Sequence, residues 1–176
     1  MQTFSCPIPD NINPLGSNGF MFSIVKYPEI SFFCQEVTIP GLNLPAIPMS
    51  TRLSDFYLSG SKLEFEELSI QFLIDENMNN FVSIYNWLVG LGAPESKSQY
   101  VEFINNSHGF DYTRNSKESS DGILQILNSA NKPIRRIHFH NIIPISLQSV
   151  TVQSTTTDTT YLLGQATFRY DIYKLE

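Results

Sequence analysis

From Lys62 to Asp75 the chain reads KLEFEELSIQFLID, a strand-like run with no glycine or proline to interrupt it. At about 3.3 Å per residue it would extend about 45 Å. A compact domain of 176 residues is only about 40 Å across, from a radius of gyration of about 16 Å. One strand would therefore span or overshoot its own domain. The apolar phase also reverses along it. Leu63 and Phe65 are at odd positions, Leu68, Ile70, Phe72 and Ile74 at even ones, and Glu66 and Glu67 stand at the switch. Successive strand residues point to opposite faces, so either a bulge lies at the two glutamates or the two halves bury against different partners. In the second case a hairpin from Thr51 to Glu66, turning at Ser59, Gly60 and Ser61, projects and pairs with a neighbouring copy. Its Phe56, Leu58, Leu63 and Phe65 would be an aggregation hazard unless something covered them.

The segment before this hairpin, VTIPGLNLPAIPMS, is also apolar where loops are normally polar. Pro40, Gly41, Pro45 and Pro48 forbid a helix and a central strand there. As an apolar loop, its Leu42, Leu44, Ile47 and Met49 are candidates for packing on the next subunit or the next layer of an assembly. The prolines lower the entropy lost on docking.

Composition supports assembly. Charged residues make up only 16% of the chain, against about 25% in ordinary soluble domains, so much of the surface is uncharged or covered. The length suits one domain, with residues 1–18 as a Pro- and Asn-containing arm and 19–176 as the folded unit. A formal net charge of −6 and scattered basic residues argue against a tight grip on nucleic acid. No run reaches the roughly 18 apolar residues of a membrane span, and the opening MQTFSCPIPDN lacks the basic and apolar parts of a secretory signal. Cys6 and Cys34 are accordingly expected as reduced thiols.

The patterning predicts a mainly β chain. GFMFSIVKY and SFFCQEVTI alternate as two strands expected to pair across a turn at Pro28. In DENMNNFVSIYNWLVGLG the period shifts to that of a helix, with Asp75 or Asn77 as N-cap and Gly90, Gly92 and Pro94 as the stop. Tyr100, Val101, Phe103 and Ile104 suggest a short second element. Strands resume at GILQIL, IRRIHFHNI, ISLQSVTV and ATFRYDIYKL, with QSTTTDTT as a hairpin tip. About eight strands and one helix imply an antiparallel β-sandwich or barrel with a flanking helix and a long projecting hairpin.

Taken in order, NGFMFSIVKY, FCQEVTIPGLNLPAIP, SGSKLEFEELSIQFLIDE, the helix closing on YNWL, Pro144 and the final ATFRYDIYKL resemble the tail tube protein family of contractile-tailed bacteriophages. The resemblance runs from about Gly19 to Glu176. It implies a structural virion protein of the phage tail, assembled in the host cytoplasm, with six copies per ring. Hairpins of neighbours would join into one β-barrel around a lumen, and stacked rings would form the conduit for DNA ejection. The partners implied are sister copies, adjoining tube rings, sheath, baseplate and tape-measure proteins, and genomic DNA in transit. On this reading Glu64, Glu66 and Glu67 form a solvated edge or a lumen-facing row, and a mildly negative wall repels phosphate. Tube-initiating and hub rings of the baseplate and the tubes of related secretion systems share the pattern.

Chemistry is a weaker fit. His138 and His140 share a strand face and, with His108, have a metal-compatible spacing, but a structural zinc site generally needs four ligands. GLGAPESKS lacks the spacing of a phosphate loop and follows a helix. No nucleophile elbow, H-E-x-x-H or C-x-x-C motif is present. Neither enzyme activity nor a cofactor is expected, and a β-domain enzyme or carbohydrate-binding module is left as the alternative class.

Overall fold

The computed structural model describes residues 13–106, 118–154 and 161–176. Cys6, His108, much of the loop after Asn106 and most of the threonine-rich tip lie outside them. Along the chain the elements are β1 (Phe20–Ile24), α1 (Glu29–Phe33), β2 (Cys34–Thr38), β3 (Leu42–Asn43), β4 (Ala46–Ser50), β5 (Asp55–Ser59), β6 (Glu64–Phe65) and β7 (Leu68–Leu73). They continue with α2 (Asn79–Gly92), α3 (Lys97–Asn106), β8 (Ser120–Leu127), β9 (Pro133–Leu147), β10 (Leu163–Arg169) and β11 (Ile172–Leu175).

Every strand pairing among the described residues is antiparallel, as the alternating apolar pattern demands. The main sheet runs β1-β8-β9-β10-β7-β2, with β11 added beside β9. The run IRRIHFHNIIPISL, expected as two strands, is the single strand β9. Its first part pairs with β8 and β11, and its last part with β10. Asn141, between the two, takes a positive φ of 55°. The carboxamide donates to Asp171 Oδ2 at 2.6 Å and the backbone N–H to Asp121 Oδ1 at 3.1 Å, which holds the bend. One strand thereby serves two layers. Between those layers Phe22, Ile24, Leu124, Ile137 and Phe139 meet Leu68, Ile70, Phe72 and Phe168 in a dry core.

The helix α2 plugs the core with Ile84 and Trp87. The Trp87 ring lies 4.9 Å from Tyr27 and 6.2 Å from Phe168, and its buried Nε1 donates to the Glu118 carbonyl at 2.8 Å. Neither expected capping residue serves. Met78 is the N-cap, in the left-handed region with φ 58°. Buried Asn80 instead satisfies the local backbone, accepting from Asp75 and Phe81 and donating to Leu73. At the far end Ala93, not a glycine, turns left-handed and donates to the Val89 carbonyl. The expected glycine acts in packing instead. A Cβ on Gly90 would run into the Phe103 ring, so the bare position lets α3 pack on α2.

Three local expectations are overturned. The strands at Phe20 and Cys34 do not pair with each other; β1 pairs with β8 and β2 with β7, with α1 between them. Glu29–Phe33, expected as a turn and the start of a strand, is the helix α1, whereas α3 is the short second element expected at Tyr100 to Ile104. The run from Lys62 to Asp75 is two strands, because the chain leaves one ladder after Phe65 and enters another at Leu68, with Glu66 and Glu67 between them. The alternation restarts there, which accounts for the reversed apolar phase.

Candidate assembly interface

The apolar segment taken for a loop is the outgoing half of a two-stranded ribbon. It leaves the body where β2 ends and returns where β7 begins. At its stem Leu42 lies opposite Phe65 and Asn43 opposite Glu64. Further out β4 and β5 pair from Ala46 opposite Ser59 to Ser50 opposite Asp55. The tip is Thr51 to Ser54, closed by the Thr51 N–H and hydroxyl on the Ser54 carbonyl at 3.0 and 2.5 Å. The expected turn at Ser59–Ser61 is therefore a mid-strand irregularity: Gly60 donates to the Pro45 carbonyl at 2.8 Å across the ribbon. Prolines suit this edge position, since a two-stranded ribbon has no central strand and β4 needs donors on one side only.

Directly opposite residues share a face, which sorts the ribbon into two sides. Ile47, Met49, Phe56 and Leu58 form one side, entirely apolar; Pro48, Tyr57, Ser50 and Asp55 stand on the other. Every residue of β4 and β5 is exposed. The sequence placed Phe56, Leu58, Ile47 and Met49 in two separate features, a hairpin and a loop, and the structure brings them together as one patch. Leu42, Leu44 and Leu63 are also about half exposed nearer the stem.

Phe65 belongs elsewhere. Its ring packs edge-on against Tyr170 at 6.0 Å and Tyr173 at 5.7 Å, on the chain's own core. The reason is the phase break, which turns Phe65 inward at the base of the ribbon. The three glutamates, expected as a solvated edge or a lumen-facing row, are all exposed at the ribbon base, each with a partner on its own chain. Glu64 faces Asn43 at 3.5 Å, Glu66 accepts the Gly41 N–H at 3.1 Å, and Glu67 pairs with Arg169 at 3.0 Å, on the surface. Each is occupied at the ribbon base, where the body grips it.

Two tyrosines that sequence reasoning did not single out complete that grip. Tyr170 Oη donates to the Glu66 carbonyl at 2.8 Å and Tyr173 Oη to the Pro40 carbonyl at 3.2 Å, one on each leg of the ribbon. Burial, then the neighbouring Tyr173 and Glu66, push the Tyr170 hydroxyl up to about 12. Their alternation within FRYDIY marked them only as strand residues. His138 lies 3.3 Å from the Glu176 carboxylate. Among the described residues no three His, Cys, Asp or Glu side chains stand together as metal ligands. No helix among them is long and apolar enough to cross a membrane.

Among the described residues the two-layer antiparallel body carries an exposed apolar ribbon, and residues 3–176 match the family described as phage tail tube protein. The chain belongs to that family. Over 84 residues it is 27% identical to the tail tube terminator protein of Enterobacteria phage T4, a stretch covering 44% of this chain and about half (48%) of the T4 protein. The fold is shared with a chain of the anti-feeding prophage tube-terminating cap, at a TM-score of 0.64 and 13% identity over 99% of both chains. A chain of the anti-feeding prophage baseplate superposes at 0.63, with 11% identity over 93% of this chain and 96% of that one. Phage tail tube proteins are structural components, and the mainly β, antiparallel architecture expected for this member is the one observed.

Proposed function

We propose that this protein forms the ring that terminates the tail tube of a contractile phage tail, with six copies joined through the ribbon around a lumen that passes the genomic DNA. The apolar ribbon face carries this reading. Four large side chains held open to water on a two-stranded arm are tolerable only if assembly covers them. Similarity to the T4 terminator and to the anti-feeding prophage cap favours the end of the tube over its body. A ring in the body of the inner tube is the second reading, supported by the fold shared with a chain from an extracellular contractile injection system sheath–tube complex, at a TM-score of 0.57. On either reading the neighbours are tube, sheath, baseplate or tape-measure proteins, the site of assembly is the host cytoplasm, and the role is structural, without cofactor or catalysis.

Negative-stain microscopy of the purified protein at rising concentration tests both. Closed rings with a central hole that do not stack, and that cap the ends of added tail tubes, are the expected outcome. Self-stacking into long tubes would transfer the protein to the tube body. A monomer at every concentration would end both readings.

A further inference from the structure

The ribbon needs a seat on the neighbour, and the free edge of β1 is the one bordered by an apolar cavity. The sheet path β1-β8-β9-β10-β7-β2 is open, so β1 and β2 are its two ends, linked by α1. Along β1 one side is hydrogen-bonded to β8, from Phe20 opposite Ile126 to Ile24 opposite Gly122, and among the described residues no strand pairs with the other. Beside that free edge lies a cavity of about 360 Å³ walled by Phe20, Met21 and Phe22, by Phe32 of α1 and by Cys34. Phe32 is 85% exposed and Met21 55%, large apolar surfaces with nothing from the described part of their own chain over them.

The ribbon has one edge fit to meet it. Pro48, at the middle of β4, has no N–H, which blunts that side. The outer edge of β5 carries no proline and is unpaired among the described residues. Both β1 and β5 are five residues long. Adding β5 to β1 with Phe56 and Leu58 on the inner side would set those rings and branches over the cavity next to Phe20 and Phe22, and leave Tyr57 outside with Met21.

The geometry points to the β1 edge and its α1 cavity as the seat for β5 of a second copy. The inference rests on the ring reading above and deepens it. The donor ribbon and the β1 seat are different surfaces of the chain, so the contact is head to tail, the kind that closes rings.

Paired cysteines test it. With both native cysteines replaced by serine, Tyr57→Cys, on the outer side with Met21, is combined with Met21→Cys, or with Ser23→Cys on the same face should the first pair fail to fold. Assembled protein is treated with a short bis-maleimide. A ladder of covalent oligomers up to the ring size is expected from the double variants and not from any single one. Tyr57→Cys with Val82→Cys, on the outer side of α2, should stay monomeric on a denaturing gel. Closed rings without a ladder, a covalent species that stops at the dimer, or a ladder only with Val82 would overturn this seat while leaving the ring reading intact. Absence of rings from the untreated protein would remove the ring reading, and this inference with it.

Discussion

Tyr170 ties the ribbon to the body through one hydrogen bond, and its proton is essential to that bond. Its acidity is weakened to about 12 in the fold, chiefly by burial, against about 10 for an unfolded tyrosine. The folded state therefore holds the proton longer, and stability present below pH 10 falls as pH rises from about 10 to about 12. Thermal unfolding followed across that window should show the decline, and Tyr170→Phe should flatten it while lowering stability by about 1 kcal/mol at neutral pH. Gly60 matters for space, not for backbone freedom. A Cβ there would collide with the Pro45 carbonyl, the acceptor of its own N–H. Gly60→Ala is expected to break the ribbon ladder at mid-length, abolishing rings in micrographs while far-ultraviolet circular dichroism of the body stays close to wild type.

At the scale of the element, the ribbon and its stem respond oppositely to the same change. Phe56→Asp places a charge on an exposed face, so unfolding free energy should move by no more than about 0.5 kcal/mol, yet sedimentation should show monomers only. Phe65→Asp, which the sequence suggested as an assembly variant, instead puts a carboxylate against Tyr170 and Tyr173. It should cost about 2 kcal/mol or more in urea unfolding, because a charge displaced from water without a partner is penalised. A ring-deficient but fully stable Phe65→Asp would reverse the two assignments. The distinction comes from one local event, the break in pairing at Glu66 and Glu67 that turns Phe65 to the core and leaves β4 and β5 exposed.

For the whole molecule, low charge and an apolar arm mean that the association should be hydrophobic. Rings should persist in about 1 M salt, where the screening length falls to about 3 Å, whereas contacts built on ion pairs would dissociate; light scattering over a salt series measures this. Much of the architecture was legible from order alone. Alternation in GILQIL and ATFRYDIY, the helical period around Trp87 and the unusual apolar stretch before Met49 each report a local preference that tertiary packing did not override, and together they indicated antiparallel layers, a packed helix and something to be covered. What the sequence could not reveal was pairing. A strand's partner is set by which distant backbone lies about 5 Å away, and alternation is the same whichever strand that is. So PGLNLPAIP read as a loop when it was half of a ribbon, IRRIHFHNIIPISL read as two strands when it was one bent through both layers, and Tyr170 and Tyr173 gave no sign of their hold on Glu66 and Pro40. The residues themselves determined a β subunit with uncovered apolar surface. Only the folded chain decided which four side chains share that face, because sidedness in a ribbon depends on cross-strand register, and register is settled where the whole chain closes on itself.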